Sequence, residues 1–285
     1  MIKFLEDLLC KISTKCNLSN DCLHIFFDTD SCLNAFNYSG SIFFNLYTYS
    51  DVPPGSGAGS SSAVVVSIIK VFNEWLNIYM SSYDIANLAY DIERVKLKMK
   101  GGKQDQFAAA YGGFNLMEFN DGFVVLHPVN IKKNTVLELE YRTILCFVGG
   151  SRETDKIIDS QMKNSLRDQS NYFDLLKVIA KEMRLSLLNG DIDHFGKLLN
   201  KSWLTKKMTA KKTSNQKIDH FYDKVMNAGA LGGKISGAGG GGFMYFISAH
   251  DKKEAITKAI RSSGYDIFDF SFDLRGGESW EYKYR

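Results

Sequence analysis

Apolar positions recur along this chain at two periods, and the switches between them mark its predicted elements. Residues 2–15 carry helical spacing, and 41–50 (Ser-Ile-Phe-Phe-Asn-Leu-Tyr-Thr-Tyr-Ser) form a β-branched and aromatic run that predicts a strand stopping at Asp51-Val52-Pro53-Pro54. From Ser61 to Met80, the residues Val64, Val65, Ile68, Ile69, Phe72, Trp75, Leu76 and Tyr79 put apolar groups on more than one face, the pattern of a helix buried on two sides. A second helix is predicted over 83–99 and a short one over 106–110. Short strands are predicted at Phe114–Phe119, Phe123–Leu126, Val136–Leu139 and Thr143–Val148. Glu153 to Asn227 reads as helical, with breaks near Ser170, Gly190 and Ser214. Strands at Lys234-Ile235 and Phe243–Ile247, a helix at 251–262 and a strand at 266–272 close the chain. No internal repeat interrupts this order. It predicts an α+β protein of two domains, 1–135 and 136–285, the second with helices and strands sharing one sheet.

Composition narrows the function classes. With 45% apolar residues in 285, the chain buries a real core and is not disordered. Its charge, 35 − 32 = +3, is too small to expect a nucleic-acid or membrane-surface partner, so any anion is held locally. No apolar run approaches the roughly 18 residues of a membrane span. Glu6 and Asp7 interrupt the apolar stripe of Met1–Leu9, and no cleavage signal follows. Cys10, Cys16, Cys22, Cys32 and Cys146 are an odd set without a Cys-x-x-Cys pair, and His24 is the one histidine near the first four. They read as reduced structural thiols of a cytoplasmic protein, in preference to a zinc site. The other histidines form no pattern. Small molecules are the expected partners, with a homo-oligomer left open. The sharper signal is 24 Gly against 3 Pro, with fifteen glycines gathered at 55–59, 101–113 and 229–242.

The first cluster, Pro53-Pro54-Gly55-Ser56-Gly57-Ala58-Gly59-Ser60-Ser61-Ser62, lies between the predicted strand and the long helix. Glycines with positive φ expose successive N–H groups, and a helix N-terminus aims its unpaired donors at the same point. Serines there bond phosphate oxygens, ligate Mg²⁺ or simply cap the helix. Three glycines at alternate positions exceed what a cap needs, so phosphate binding is the favoured reading. No Gly-Lys-Ser/Thr makes it a Walker A loop. The segment resembles the central ATP-binding motif of the GHMP small-molecule kinases. That resemblance implies that Pro54 to Ser62 bind ATP, with Gly55 to Ser61 cradling its phosphates and Ser61 ligating Mg²⁺.

The second cluster runs Gly101-Gly102-Lys103-Gln104-Asp105-Gln106-Phe107-Ala108-Ala109-Ala110-Tyr111-Gly112-Gly113. Asp105, with Lys103 beside it, reads equally as a proton acceptor for a hydroxyl or as a solvated helix cap. Glu93, twelve residues earlier, is either functional or an exposed helix charge beside Arg94. The resemblance implies that Asp105 faces the acceptor hydroxyl and that Glu93 joins Ser61 on Mg²⁺. The same wording, together with Lys201-Ser202-Trp203-Leu204-Thr205-Lys206-Lys207 and Asn227-Ala228-Gly229-Ala230-Leu231-Gly232-Gly233-Lys234, is similar to the D-glycero-D-manno-heptose 7-phosphate kinases. These use ATP to phosphorylate the anomeric hydroxyl of a heptose phosphate.

The third cluster contains Gly-x-Gly-x-x-Gly at 237, 239 and 242, but a strand-like run, Phe243–Ile247, follows it, so it lacks a dinucleotide fingerprint's context. A hairpin is the bland alternative. It looks like the third GHMP motif, which implies that Gly237, Ala238, Gly239 and Gly240 close the nucleotide site. Lys103, Gln104, Arg152 and Lys206 are candidates to hold the sugar phosphate.

The resemblance covers about Ser41 to Trp280. It implies a GHMP fold with an N-terminal ribosomal-protein-S5-like α/β domain and a C-terminal ferredoxin-like α+β domain. The family's first motif has no counterpart before residue 40, so the chain is expected to lack about fifty residues of the family's beginning, with an exposed sheet edge. Two alternatives follow: a kinase for another sugar of the galactose or fucose type, and a nucleotide-binding pseudokinase.

Overall fold

The computed structural model describes residues 46–49, 51–52, 56–149, 157–158, 160, 170–210 and 212–281. The helix predicted over 2–15, the four N-terminal cysteines and most of the strand predicted over 41–50 lie outside the described residues; of 46–49, which are described, Tyr47 alone forms a bridge. The chain divides into two compact units. One comprises Met1–Pro54, Gly59–Tyr111 and Arg275–Arg285, and the other Gly55–Ala58 and Gly112–Leu274.

In the first unit, helix α1 (Ser60–Trp75) buries Val64, Val65, Val66, Ile68, Ile69 and Phe72, a broad apolar face. It stops short of the predicted Met80. Asn77 takes positive φ, a conformation asparagine tolerates in a helix-ending turn, and Tyr79 beyond it is 96% exposed. Helix α2 (Ser82–Tyr90) starts at a capping box in which Ser81 Oγ accepts from the Asp84 N–H and the Ser81 N–H donates to Asp84. It runs directly into a π-helical segment, Asp91–Lys96. The helix predicted over 83–99 therefore changes its hydrogen bonding partway. Helix α3 (Gln104–Tyr111) contributes Phe107, fully buried, edge-on to Tyr83 and stacked with Tyr111. Residues 275–281 return to this unit, with the Gly277 N–H bonded to the Ala109 carbonyl at 2.9 Å.

The second unit opens with an antiparallel hairpin, β1 (Asn115–Phe119) and β2 (Val124–Pro128). Helix α4 (Lys133–Arg142) then occupies the stretch predicted as a strand at Val136–Leu139. Val-Leu-Glu-Leu fits period two, but Thr135, Leu139 and Arg142 are the buried positions, at i, i+4 and i+7, while Leu137 is 52% exposed. The rest is β3 (Thr143–Phe147), α5 (Ser170–Asn189), α6 (Ile192–Thr209), α7 (Gln216–Asn227), β4 (Ala230–Ile235), β5 (Phe243–Ser248), α8 (Lys253–Arg261) and β6 (Ile267–Phe268). The closing strand is shorter than the predicted 266–272. These strands form one antiparallel sheet in the order β4-β5-β3-β6. From β3 onward the sequence of elements is β-α-β-β-α-β, the ferredoxin-like arrangement, with α5, α6 and α7 all in the first crossover.

Both faces of the sheet are covered, which explains why β5 reads as an unbroken apolar run. Met244 and Phe246 join Ile144 and Cys146 against Phe221 and Val225 of α7 and Ile256 and Ile260 of α8. Ile247 packs with Leu139, Leu187, Ile192 and Leu199, and Tyr245 lies against that cluster. Helix α6 rests directly on β4, since a Cβ on Gly232 would lie 2.0 Å from the Gly196 carbonyl oxygen and 2.6 Å from the Asn200 nitrogen. Beside this contact the Tyr222 hydroxyl donates to Asn200 Oδ1 at 2.8 Å and accepts from the Gly233 N–H.

Burial pushes Cys146 and Tyr245 each up to about 12, and raises Tyr222 as well. The unfolded chain loses these protons from about pH 9 to 10 while the folded chain keeps them, so above pH 9 the folded state binds more protons and stability falls as pH rises. Each group contributes roughly 1.4 kcal/mol per pH unit in that window. Urea unfolding followed at pH 8, 9.5 and 11 is expected to show a progressively lower midpoint. A flat profile over that range would contradict the buried, neutral state of these three groups.

Candidate active site

Two groups of the chemically suggestive residues form, one in each unit. In the first unit α1 begins at Gly59, which adopts the left-handed conformation as N-cap, and no side chain caps the helix. The leading N–H groups therefore keep their outward donors, with no acidic residue in the first turn. Asp105, near the start of α3, packs onto this cap: a Cβ on Gly59 would lie 3.2 Å from Asp105 Cγ. Below the first turn is Glu93, brought there by the π-helical segment and 0% exposed. Its Oε1 accepts from Ser61 Oγ at 2.8 Å, and its Oε2 accepts from Ser62 Oγ at 2.7 Å and from Gln106 Nε2 at 2.5 Å.

This carboxylate has no ion-pair partner among the described residues. Burying it beside neutral donors alone is costly, because hydroxyls and an amide replace only part of its hydration. Gln106 Oε1, on the same amide that serves Glu93, is a buried acceptor without a partner. A carboxylate, a serine hydroxyl and an amide oxygen are hard oxygen donors, the set a Mg²⁺ ion takes when it binds through one or two protein ligands.

In the second unit residues 56 and 57 are clamped by the third glycine cluster. The Phe243 N–H donates to the Ser56 carbonyl at 2.7 Å and Ser236 Oγ donates to the Gly57 carbonyl at 2.8 Å. The two backbones approach so closely that a Cβ on Gly237 would sit 2.9 Å from the Gly57 oxygen, and one on Gly57 would sit 3.0 Å from the Ser236 oxygen. Ser56 turns its Oγ to accept from the Ala58 N–H at 3.3 Å. Lys206, on α6, donates through Nζ to the Gly237 carbonyl.

The sequence-derived candidates are thus partly gathered. Gly59, Ser61, Ser62, Glu93 and Asp105 belong to one cluster, with Ser60 in the same first helical turn, and Ser56, Gly57, Gly237 and Lys206 belong to another. Ala58, Gly239 and Gly240 lie in the loops of that second group. Glu93 is not the exposed helix charge that one reading allowed. Lys103 sets its ammonium 4.7 Å from the centre of the Tyr90 ring, and Gln104 is exposed at the start of α3. Pro54, Gly55 and Arg152 lie outside the described residues. Sequence reasoning passed over Gln106 as a partner of Glu93. Its signal was a polar side chain within the apolar-rich stretch that follows Asp105.

Comparison with known proteins gives two family matches: the GHMP kinases N terminal domain over residues 29–113 and the GHMP kinases C terminal over 183–266. The first begins twelve residues before Ser41, where the motif-based resemblance started. A D-glycero-alpha-D-manno-heptose 7-phosphate kinase of Campylobacter jejuni is 44% identical over 240 residues, 83% of this chain and 70% of that protein. A solved D-glycero-D-manno-heptose 1-phosphate kinase of Bacteroides thetaiotaomicron superposes with TM-score 0.67 at 34% identity, covering 88% of this chain and 72% of that one. A galactokinase of Lactococcus lactis with bound galactose matches with TM-score 0.63 at 18% identity, covering 86% and 73%, a likeness of fold alone.

The clamp on residues 56 and 57 makes a sharp prediction. Gly242 has φ +96°, and a Cβ there would lie 2.2 Å from the Ser56 carbonyl oxygen, whereas Gly264, at φ +79°, has nothing within 4 Å. Gly242→Ala is expected to cost about 3 kcal/mol, combining backbone strain with overpacking against an atom that cannot swing away. Gly264→Ala carries only the strain, about 1 kcal/mol. Urea unfolding of the two variants compares them directly, and equal losses would mean that the Ser56 contact is not tight.

Proposed function

The chain belongs to the GHMP kinase family, and from that premise we propose that it is a sugar kinase transferring the γ-phosphoryl group of ATP to the anomeric hydroxyl of a heptose 7-phosphate. The observation that carries this reading is the grouping in the first unit of Asp105, the uncapped N-terminus of α1 and the Ser61–Glu93–Ser62 set. The heptose phosphate kinase at 44% identity supports the substrate class, while the galactokinase likeness supports only the fold.

In this reading Gly55 to Ser62 hold the triphosphate through backbone N–H groups and the positive end of α1. Ser61 and Glu93 would hold Mg²⁺, which when bound supplies neutralising charge to the β- and γ-phosphates. Asp105 accepts the proton of the anomeric hydroxyl as its oxygen bonds to the γ-phosphorus and the bond to ADP breaks. The loop from Gly237 to Gly240 closes the nucleotide site by fixing Ser56 and Gly57. Such catalysis consists of positioning and electrostatics. ATP-dependent chemistry of this kind goes with a cytoplasmic setting, and among the described residues no helix is long and apolar enough to cross a membrane.

Turnover measured with ATP and heptose 7-phosphate, by ADP release and phosphorus NMR of the product, tests the reaction. Asp105→Asn is expected to lower kcat by about 10²- to 10⁴-fold. Equal rates would remove Asp105 from the mechanism, and ATP binding without product from any sugar phosphate would establish a nucleotide-binding protein in place of a kinase.

Glu93 separates function from folding. Glu93→Gln removes a buried charge while keeping shape, and its amide can donate to the Ser61 hydroxyl while its oxygen still accepts from Ser62 and Gln106, so the melting temperature is expected to hold or rise. The Mg²⁺ concentration for half-maximal activity is expected to rise by about tenfold or more, with one anionic ligand lost. A lowered melting temperature with unchanged Mg²⁺ dependence would assign Glu93 to the scaffold.

A further inference from the structure

A cavity of about 290 Å³ opens within the second unit, beside the residues already described. Its volume is at the lower edge of the range for small-ligand sites. Phe173, Leu176 and Met183 of α5 supply an apolar wall, and Ser202 and Lys206 of α6 and Lys234 of β4 supply polar groups. No carboxylate lines it among the described residues. Lys206 is held in part, through its bond to the Gly237 carbonyl.

Lys234 is different. It stands opposite Tyr245 in the β4–β5 ladder, on the strand that α6 covers, and no hydrogen bond or ion pair engages its side chain among the described residues. Burial depresses its ammonium below the usual lysine range, and no neighbouring charge opposes that effect. A partly desolvated ammonium whose side chain has no protein partner among the described residues, lining a cavity with a second ammonium and a hydroxyl, is favoured by an anion that enters there. Two positive charges suit a dianion, and the apolar wall suits the carbon skeleton behind it. The nucleotide's phosphates already have their place at residues 55–62 in the proposed function. We infer that this cavity binds the phosphate monoester of the acceptor sugar, with Lys234 as its principal charge and Lys206 and Ser202 as supporting donors. The inference rests on the sugar-phosphate kinase reading and adds to it the group that selects a phosphorylated acceptor over the free sugar.

The test compares wild type with Lys234→Met and Lys234→Arg, using heptose 7-phosphate and the unphosphorylated heptose as acceptors. Lys234→Met is expected to raise KM for the phosphorylated acceptor about 10- to 100-fold, the loss that accompanies one charge-assisted hydrogen bond. It is expected to cut the preference for the phosphorylated over the free sugar by at least about tenfold, with KM for ATP moved by less than about twofold. Lys234→Arg is expected to recover most of the preference, because it restores the charge. An unchanged preference, or a rise confined to KM for ATP, would overturn the assignment, the latter by giving the cavity to the nucleotide.

Two measurements keep the outcomes apart. Calorimetric titration of heptose 7-phosphate without ATP reads the cavity even if wild type turns over no heptose, which would overturn the proposed reaction alone; equal affinity for wild type and Lys234→Met would overturn the cavity. Should Lys234→Met fail to fold, inorganic phosphate added to wild type decides. Inhibition competitive with the sugar phosphate but not with ATP supports the inference, and inhibition competitive with ATP overturns it.

Discussion

A buried carboxylate held only by neutral donors is the constraint on which the first unit depends. Glu93 draws Ser61 and Ser62 from the first turn of α1 and Gln106 from α3, so three separate segments meet on two oxygen atoms. Each of those hydrogen bonds to an ionised acceptor is stronger than a neutral one. Together they do not replace full hydration of a charge, and a chain selected for stability alone would sooner carry an apolar residue there. The π-helical segment is part of the same arrangement. Its wider hydrogen-bonded turn, with the Leu97 N–H reaching back to the Ile92 carbonyl, is an uncommon geometry that recurs at functional sites. Both features are costly locally, and both are accounted for if the carboxylate serves a cation.

The second unit works by a different economy, that of backbone touching backbone. Ser56 and Gly57 are positioned by the Phe243 N–H, the Ser236 hydroxyl and the bare Cα atoms of the third glycine cluster. No long side chain lies between the two backbones, so the approach can be close and the geometry rigid, but any added methyl group meets main chain that cannot rotate aside. Gly232 repeats the principle where α6 lies on β4. Among the described residues the glycines thus serve both ends, positive φ at sixteen positions and approach too close for a Cβ at eight.

How much of this was legible in the sequence depends on whether a residue's role is local or arises from packing. The helix after the first glycine loop, the apolar run of β5 and the helices on either side of Gly190 follow from periodicity and punctuation, and the structure agrees with them. The strand expected at Val136–Leu139 is a helix because Leu137-Glu138-Leu139 alternates in a way that fits either period, and only the burial of Thr135, Leu139 and Arg142 separates the two. The end of α1 depended on Asn77 entering positive φ, which composition does not dictate. In the candidate site, Ser61, Glu93 and Asp105 were nameable through the resemblance to the GHMP motifs, since the residues alone left a helix cap and an exposed helix charge equally open. Gln106 and Lys234 were not, since nothing in a single glutamine or lysine tells which cavity or carboxylate it will face after folding.

The position of Lys206 ties the two features of the second unit together. Its ammonium donates to the Gly237 carbonyl, and Gly237 is the residue whose Cα abuts the Gly57 carbonyl. The same side chain also lines the cavity that Lys234 faces. An ammonium has three donors, so an anion in the cavity can share Lys206 with Gly237 or compete for it, and the two cases differ in sign. Sharing would firm the loop that positions Ser56 and Gly57, whereas competition would loosen it. Because coupling between binding events is reciprocal, whichever holds must appear equally in the effect of a bound nucleotide on affinity for the anion. The second unit thereby holds a short covalent and hydrogen-bonded path, Lys206 to Gly237 and Ser236 to Gly57, along which the two proposed binding events would couple.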